Sequence, residues 1–296
     1  MDVELAQLFV NGIAVGSIIA LAAVGLTLTN GILRLPNFAH GDFMTLGAYL
    51  ALLFDTQLLN FIAIPEQKIG AAIALGSILT IAFFLLSEYL IWKPMRNRRA
   101  NSTTLIIISI GLALFIRNGI IFIWGGGNQN YDLPVQTALD IVGLKIRYNL
   151  MIAIGLAVLS VLVLHLLLQY TKIGKAMRAV ADDLDLASVS GINVQRVVLW
   201  TWIVAGGLTA LSGGLYALVQ SPRPNMGWFL ILPMFASIIL GGIGNPYGAI
   251  VGALIIGIAQ EVSTYWIPTE YKLAIALVVM VLVLLVKPQG LFRGTG

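Results

Sequence analysis

Nine apolar runs, separated by short polar or glycine-rich stretches, leave this 296-residue chain few ways to fold. They extend roughly over Leu5–Leu28, Ala39–Phe54, Ile69–Trp92, Thr104–Trp124, Leu150–Gln169, Val197–Val219, Trp228–Leu240, Tyr247–Trp266 and Leu273–Val286. A helix needs about 20 apolar residues to cross the hydrocarbon core of a bilayer, and most runs approach that length. The second and seventh are short. Only 10% of residues are charged and the mean hydropathy is +0.95, against about 25% charged in a soluble domain. No soluble fold covers so much apolar surface, so lipid is the solvent for most of it. The ten-residue dyad alternation of a membrane barrel is absent. The expected fold is therefore all-α, a polytopic membrane protein of about 8–10 transmembrane helices, some short or broken, with residues 1–296 forming one transmembrane domain.

The charges orient these runs. With the N-terminus outside, the inner loops hold Arg34, Lys93, Arg96, Arg98, Arg99, Lys172, Lys175, Arg178, Arg196, Lys287 and Arg293. The outer loops hold Lys68, Lys145, Arg147, Arg223 and Lys272. Basic residues favour the cytoplasmic side, so an odd count of nine gives an outside N-terminus and a cytoplasmic C-terminus. The start, MDVELAQLF, is acidic, unlike the basic opening of a cleaved signal, and the first run is expected to remain as a span. The net charge of +4 comes from membrane-flanking loops and points to lipid headgroups rather than nucleic acid. Two loops stand out: an outer one over about 125–149, beginning GGGNQNYDLP, and an inner one over about 171–196, which reads as an amphipathic helix pair broken at Gly191.

Chemistry is sparse. The chain has no cysteine, hence no thiolate nucleophile, thiolate metal site or disulfide framework. Gly174-Lys175 is followed by Ala176, so no phosphate-binding loop is present. No H-E-x-x-H motif occurs, no cofactor is implied, and only His40 and His165 could serve a hydrolase. Besides His40 and Asp42 at the start of the second run, Glu88, Arg117, His165 and Glu261 are the candidate ionisable residues in the runs, each within about two turns of an end. Anchoring or interhelical pairing is the first reading of these charges; Arg117-Asn118 and Glu261 fall in the outer half, where lining an outer vestibule is the alternative. A charge at the bilayer centre costs about 2.5–3.5 kcal/mol on insertion scales, so each needs a partner or an exit to water.

Small residues recur four apart at Gly12, Gly16 and Ala20, at Gly206, Ala210 and Gly214, and at Gly244, Gly248 and Gly252. Such faces let helices approach closely where hydrophobicity cannot drive association. Asn30, Gly31, Pro36 and Asn37 interrupt the first pattern. Asn37 is a suitable N-cap for the next helix, and Asp42 suits its positive end. His40 and Asp42 are thus expected at a helix start on the inner membrane surface. GGIGNPYG, Gly241–Gly248, breaks the seventh run from the eighth. Short runs interrupted by glycine and proline are the best sequence pointer to a transport pathway. The candidate pathway and hinge residues are Asn30, His40, Asp42, Arg117, Gly241, Gly244 and Asn245.

Four stretches resemble the permease subunits of branched-chain amino acid ABC importers, the shorter of that system's two permeases most closely. They are GILRLPNFAHGDFMTLGAYLA (31–51), RAVADDLDLASVSGINVQRV (178–197), LGGIGNPYGAIVGALIIGIAQE (240–261) and TEYKLAIALVVMVLVLLVKPQGLF (269–292). The resemblance implies a non-catalytic pore subunit in the bacterial inner membrane. Its partners would be a second homologous permease, two cytoplasmic ATPase subunits and an external substrate-binding protein. Relatives carrying urea or short amides look much alike, and an ion-coupled secondary carrier is the competing class. Importer permeases present an E-A-A-x-x-x-G loop to the ATPase, and Asp185-Leu186-Ala187 followed by Gly191 fits it loosely. On that resemblance Gly174, Arg178, Asp185, Ala187 and Gly191 are the coupling candidates, with Ala187 and Ser190 small enough to enter a cleft on the ATPase.

Overall fold

The computed structural model describes residues 3–59, 62, 64–131, 138–141 and 143–292. Arg293 and residues 132–137 and 142 of the outer loop lie outside the described residues. Among the described residues, seven helical stretches are long and apolar enough to cross a membrane: Val3–Leu33, Gln67–Asn97, Ser102–Trp124, Tyr148–Tyr170, Val194–Val219, Pro246–Tyr265 and Thr269–Val286. The two short runs of the sequence form two shorter helices.

In chain order, α1 is Val3–Leu33 and α2 is His40–Leu53, which ends in a π-turn over Phe54–Leu58. Helix α3 (Pro65–Ser87) passes through a second π-turn, Glu88–Trp92, into α4 (Lys93–Asn97). Helix α5 spans Ser102–Trp124 and α6 spans Tyr148–Tyr170. Between them β1 (Leu139–Ile141) pairs antiparallel with β2 (Leu144–Ile146), Asp140 opposite Lys145. The inner segment is α7 (Lys172–Asp182) and α8 (Leu184–Val189), and then come α9 (Val194–Val219), α10 (Met226–Gly241), α11 (Pro246–Val262) and α12 (Lys272–Val286).

Contacts fix which helix ends share a side. At one end the Lys145 amide donates to Gln7 Oε1 of α1, Asn149 Nδ2 donates to Leu218 O at the end of α9, and Lys272 meets Glu261. At the other end the Gly244 amide donates to Thr27 Oγ1 of α1, Tyr247 meets His165 of α6, and Leu291 and Phe292 bond the carbonyls of Leu240 and Gly241. The start of α1 and Phe292 thus lie at opposite ends of the bundle. Arg34, Lys93–Arg99, α7 and α8 share the end that holds Leu291.

Helices α1 and α2 form the interior, enclosed by α3, α9, α10 and α11, and the small-residue faces pack it. A Cβ on Gly12 or Gly16 would press on the α11 backbone at Ile258 and Leu254, 2.7 and 3.0 Å away. Gly248 and Gly252 face Gly241 and Ser237, closing the α10–α11 hairpin. Gly206 and Gly214 receive Phe84 and Ile73 of α3. By contrast α12 is apolar on nearly every side, with Val281, Leu285 and Val286 exposed, as a helix facing lipid should be.

Two sequence expectations change. Helix α1 does not stop at Asn30 and Gly31; it continues to Leu33 and breaks at Arg34, whose φ is +50°. The inner pair α7–α8 breaks at Asp183 rather than Gly191. Asp183 is extended, and its Oδ1 caps α8 by accepting from the Leu186 amide at 2.9 Å. Gly191 instead ends α8. At φ +84° its amide bonds Ser188 O while the Ile192 amide bonds Ala187 O, the paired bonds of a Schellman turn.

Candidate translocation site

After Arg34 the chain does not turn along the membrane surface. Residues 34–39 run back into the bundle without forming helix, and α2 begins at His40 beside Ala22 of α1 and Thr209 of α9, near the middle of both helices. The expected surface position of His40 and Asp42 is therefore corrected: both are buried at mid-depth. The physical reason lies in how the irregular stretch meets its hydrogen-bonding needs. The Phe38 amide donates to Ser109 Oγ of α5 at 3.1 Å, and the Ala39 amide to Asn37 Oδ1 at 3.1 Å. Asn37 thus holds a turn ahead of the helix rather than capping it. Non-helical backbone at this depth is tolerated only inside protein or along a cavity.

Helix α10 starts against the same place. The backbones of Gly41 and Gly227 touch, and a Cβ on either would strike the other's carbonyl. The Gly227 amide donates to Thr45 Oγ1 at 3.0 Å, so α2 satisfies one of the free amides that begin α10. Phe38 packs against Phe235 further along α10, its ring tilted 37° to it with centroids 4.8 Å apart. The two short helices therefore run antiparallel and overlap only near their first turns. Their positive ends meet inside the bundle.

Into this junction the fold brings two of the residues singled out from sequence. Arg117 of α5 donates from Nε and Nη2 to the two Asp42 oxygens, each at 2.9 Å. This is the planar fork that an arginine makes with a carboxylate. The guanidinium also sits 4.7 Å from the centre of the Trp228 ring of α10. One cluster thereby ties α2, α5 and α10. His40 is held separately: its Nε2 lies 3.0 Å from Ala22 O and 2.7 Å from Thr209 Oγ1, which itself donates to Ala205 O. A carbonyl only accepts, so Nε2 carries the hydrogen, and the buried Nδ1 has no partner among the described residues. Neither His40 nor His165 bonds a serine in the described residues.

The other pathway candidates gather at the opposite end. Asn30 is half-buried beside Gly31, which abuts Gly244. Asn245 caps α11, its Oδ1 accepting from the amides of Tyr247 and Gly248 at 3.0 and 3.1 Å. Gly241 packs against Gly248. These residues do not meet Arg117.

Among the coupling candidates, Gly174 and Ala187 face inward. Gly174 lies against Leu167 and Leu168 of α6, and Ala187 is buried, so neither presents a side chain to a partner. Asp185, Gly191 and Arg178 are exposed, and so are Leu186 and Val189, at 63% and 81%. Those two apolar side chains on a polar elbow are what the sequence reading passed over. Arg178 Nη1 donates to Gln169 Oε1 at 2.9 Å, Gln169 Nε2 reaches Tyr247 OH at 3.3 Å, and Tyr247 OH lies 2.8 Å from His165 Nδ1. This chain of polar contacts links α7 through α6 to the first turn of α11.

A greasy bundle with two half-length helices that meet at mid-depth around a sealed ion pair suits a membrane transport subunit. The profile of the family described as branched-chain amino acid transport system, permease component, matches residues 8–284, and the chain belongs to that family. It is 32% identical to the high-affinity branched-chain amino acid transport system permease protein LivH of Salmonella typhimurium, over 97% of this chain and 94% of that one. It is 29% identical to the corresponding protein BraD of Pseudomonas aeruginosa, over 96% and 94%. A probable branched-chain amino acid transport permease of Methanocaldococcus jannaschii is 30% identical over 95% and 90%. No solved structure matches the chain.

Proposed function

We propose that this chain is the membrane subunit of a binding-protein-dependent ABC importer for branched-chain amino acids, set in the bacterial inner membrane with its N-terminus outside and its C-terminus in the cytoplasm. The observation that carries the reading is the α7–α8 elbow. It projects Leu186 and Val189 from the bundle end that also holds Arg34, Lys93, Arg96, Arg98 and Arg99. That basic end is the cytoplasmic one under the positive-inside rule, where ATPase subunits reside.

The mechanism follows from the contacts. Two ATPase subunits close on ATP and pull on the elbow of this chain and on that of a second, homologous permease. Displacement of α7 passes through Arg178, Gln169 and Tyr247 to the start of α11, and through the α10–α11 hairpin to the junction of α10 with α2. Glycine-lined faces let these helices tilt, opening the pathway alternately to the binding protein and to the cytoplasm. The chain performs no covalent chemistry; ATP hydrolysis belongs to its partners.

The test is reconstitution. Purified with its partner subunits in proteoliposomes, the complex should take up leucine only with ATP inside and loaded binding protein outside. Uptake by this chain alone, driven by an imposed ion gradient without ATP, would overturn the reading.

A further inference from the structure

A cavity of about 730 Å³ opens at the bundle end opposite the elbow, between α1, α6, α9 and α11. It descends along α1 from Glu4 to Val15, twelve residues into the span. Its volume lies within the roughly 300–1,000 Å³ usual for small-molecule sites. Both signs of charge line it: Glu4 and Glu261 on one count, Lys145, Arg147 and Lys272 on the other. Glu261 and Lys272 bind each other at 2.6 Å. The side chains of Glu4, Lys145 and Arg147 make no hydrogen bond or ion pair among the described residues and are free to take a ligand. Deeper walls are aliphatic, from Val15, Leu150 and Leu218. The β1–β2 hairpin roofs the space, held to α1 by the Lys145 amide on Gln7, which also donates to Asn11.

We propose that this cavity is an acceptor site for a zwitterionic aliphatic amino acid released by the binding protein. Arg147 and Lys145 hold the carboxylate, Glu261 and Glu4 hold the ammonium group, and the aliphatic side chain points down toward Val15. A zwitterion is the ligand that satisfies both charge signs at the mouth while filling an apolar floor; a simple acid or amine satisfies only one. A carboxylate has two oxygens, so Glu261 can accept from the ammonium group on one while it keeps Lys272 on the other, and no charge is left unpaired. The site rests on the importer reading above, since that reading places this end outside.

The lack of native cysteine gives a direct test in the assembled complex. Asn11→Cys puts one thiol of this chain on the cavity wall, where a membrane-impermeant thiol reagent reaches it from outside. L-leucine should slow its modification at least five-fold. Isoamylamine and 4-methylpentanoate, which each lack one charge, should not. Leucine should leave the rate at an outer-loop control, Glu270→Cys, unchanged. Adding Arg147→Ala to Asn11→Cys should raise the protecting concentration of leucine about ten-fold. The ligand comparison decides the matter even where Arg147→Ala fails to assemble. Equal protection by leucine and either single-charge analogue, or no protection by leucine, overturns the site. If ATP-driven uptake is intact while leucine gives no protection, the site falls and the importer reading stands.

Discussion

The Asp42–Arg117 pair and the Glu261–Lys272 pair are both carboxylate–cation contacts within one bundle, yet their settings differ. The first is sealed, with side chains 1% and 12% exposed, and joins three helices at mid-depth. The second borders an open cavity, with side chains 12% and 30% exposed. Removing one partner from a buried pair strands a charge in a medium that cannot solvate it. Removing one from a wetter pair leaves water and neighbouring ions to compensate. The first pair ties the two short helices to α5, while the second lies within reach of water at the cavity wall.

Substitutions can break or sharpen this contrast. Arg117→Ala strands the Asp42 carboxylate and should cost about 3–5 kcal/mol, read as a large drop in thermal unfolding midpoint in nanodiscs. Replacing both partners, Asp42→Leu with Arg117→Met, should recover most of that loss but not uptake. Recovery of both would show the charges to be dispensable. Gly227→Val pushes α10 off α2 and should cost about 1–3 kcal/mol as overpacking, with assembly and melting as readouts. Lys272→Ala should cost below about 1 kcal/mol. Its effect should shrink further at high salt, whereas Arg117→Ala should be nearly insensitive to salt. The smallest change in stability, within about 0.5 kcal/mol, is expected of Val189→Glu on the exposed elbow. That variant should nonetheless lose stimulation of the partner ATPase by loaded binding protein, measured in the purified complex.

The sequence carried the membrane character, the short second and eighth-preceding runs, and the small-residue contacts, because each is a local pattern along one helix. It also marked Arg117 as an ionisable residue in an apolar run and Asp42 as a carboxylate in the first turn of a helix. It did not show that they meet. They stand 75 positions apart, and their depth depends on six irregular residues climbing back into the bundle. Ala187 shows a related ambiguity: smallness suits an external cleft and an internal contact equally, and its burial is visible only in the fold. Gly41 and Gly227 passed unnoticed although each opens a short helix. A single glycine has no periodicity, and its significance appears only when the opposing backbone is in place. The outer cavity was foreshadowed by Glu261 alone, because its other charges sit at helix starts and in the outer hairpin, which look like ordinary span edges and connectors.

The bare contact of Gly41 with Gly227 has one more consequence. Side chains elsewhere in the bundle can change rotamer and absorb a small shift, but two peptide planes in direct contact have nothing to compress. Any relative motion of α2 and α10 must therefore turn about that contact, which their first turns share, rather than slide through it.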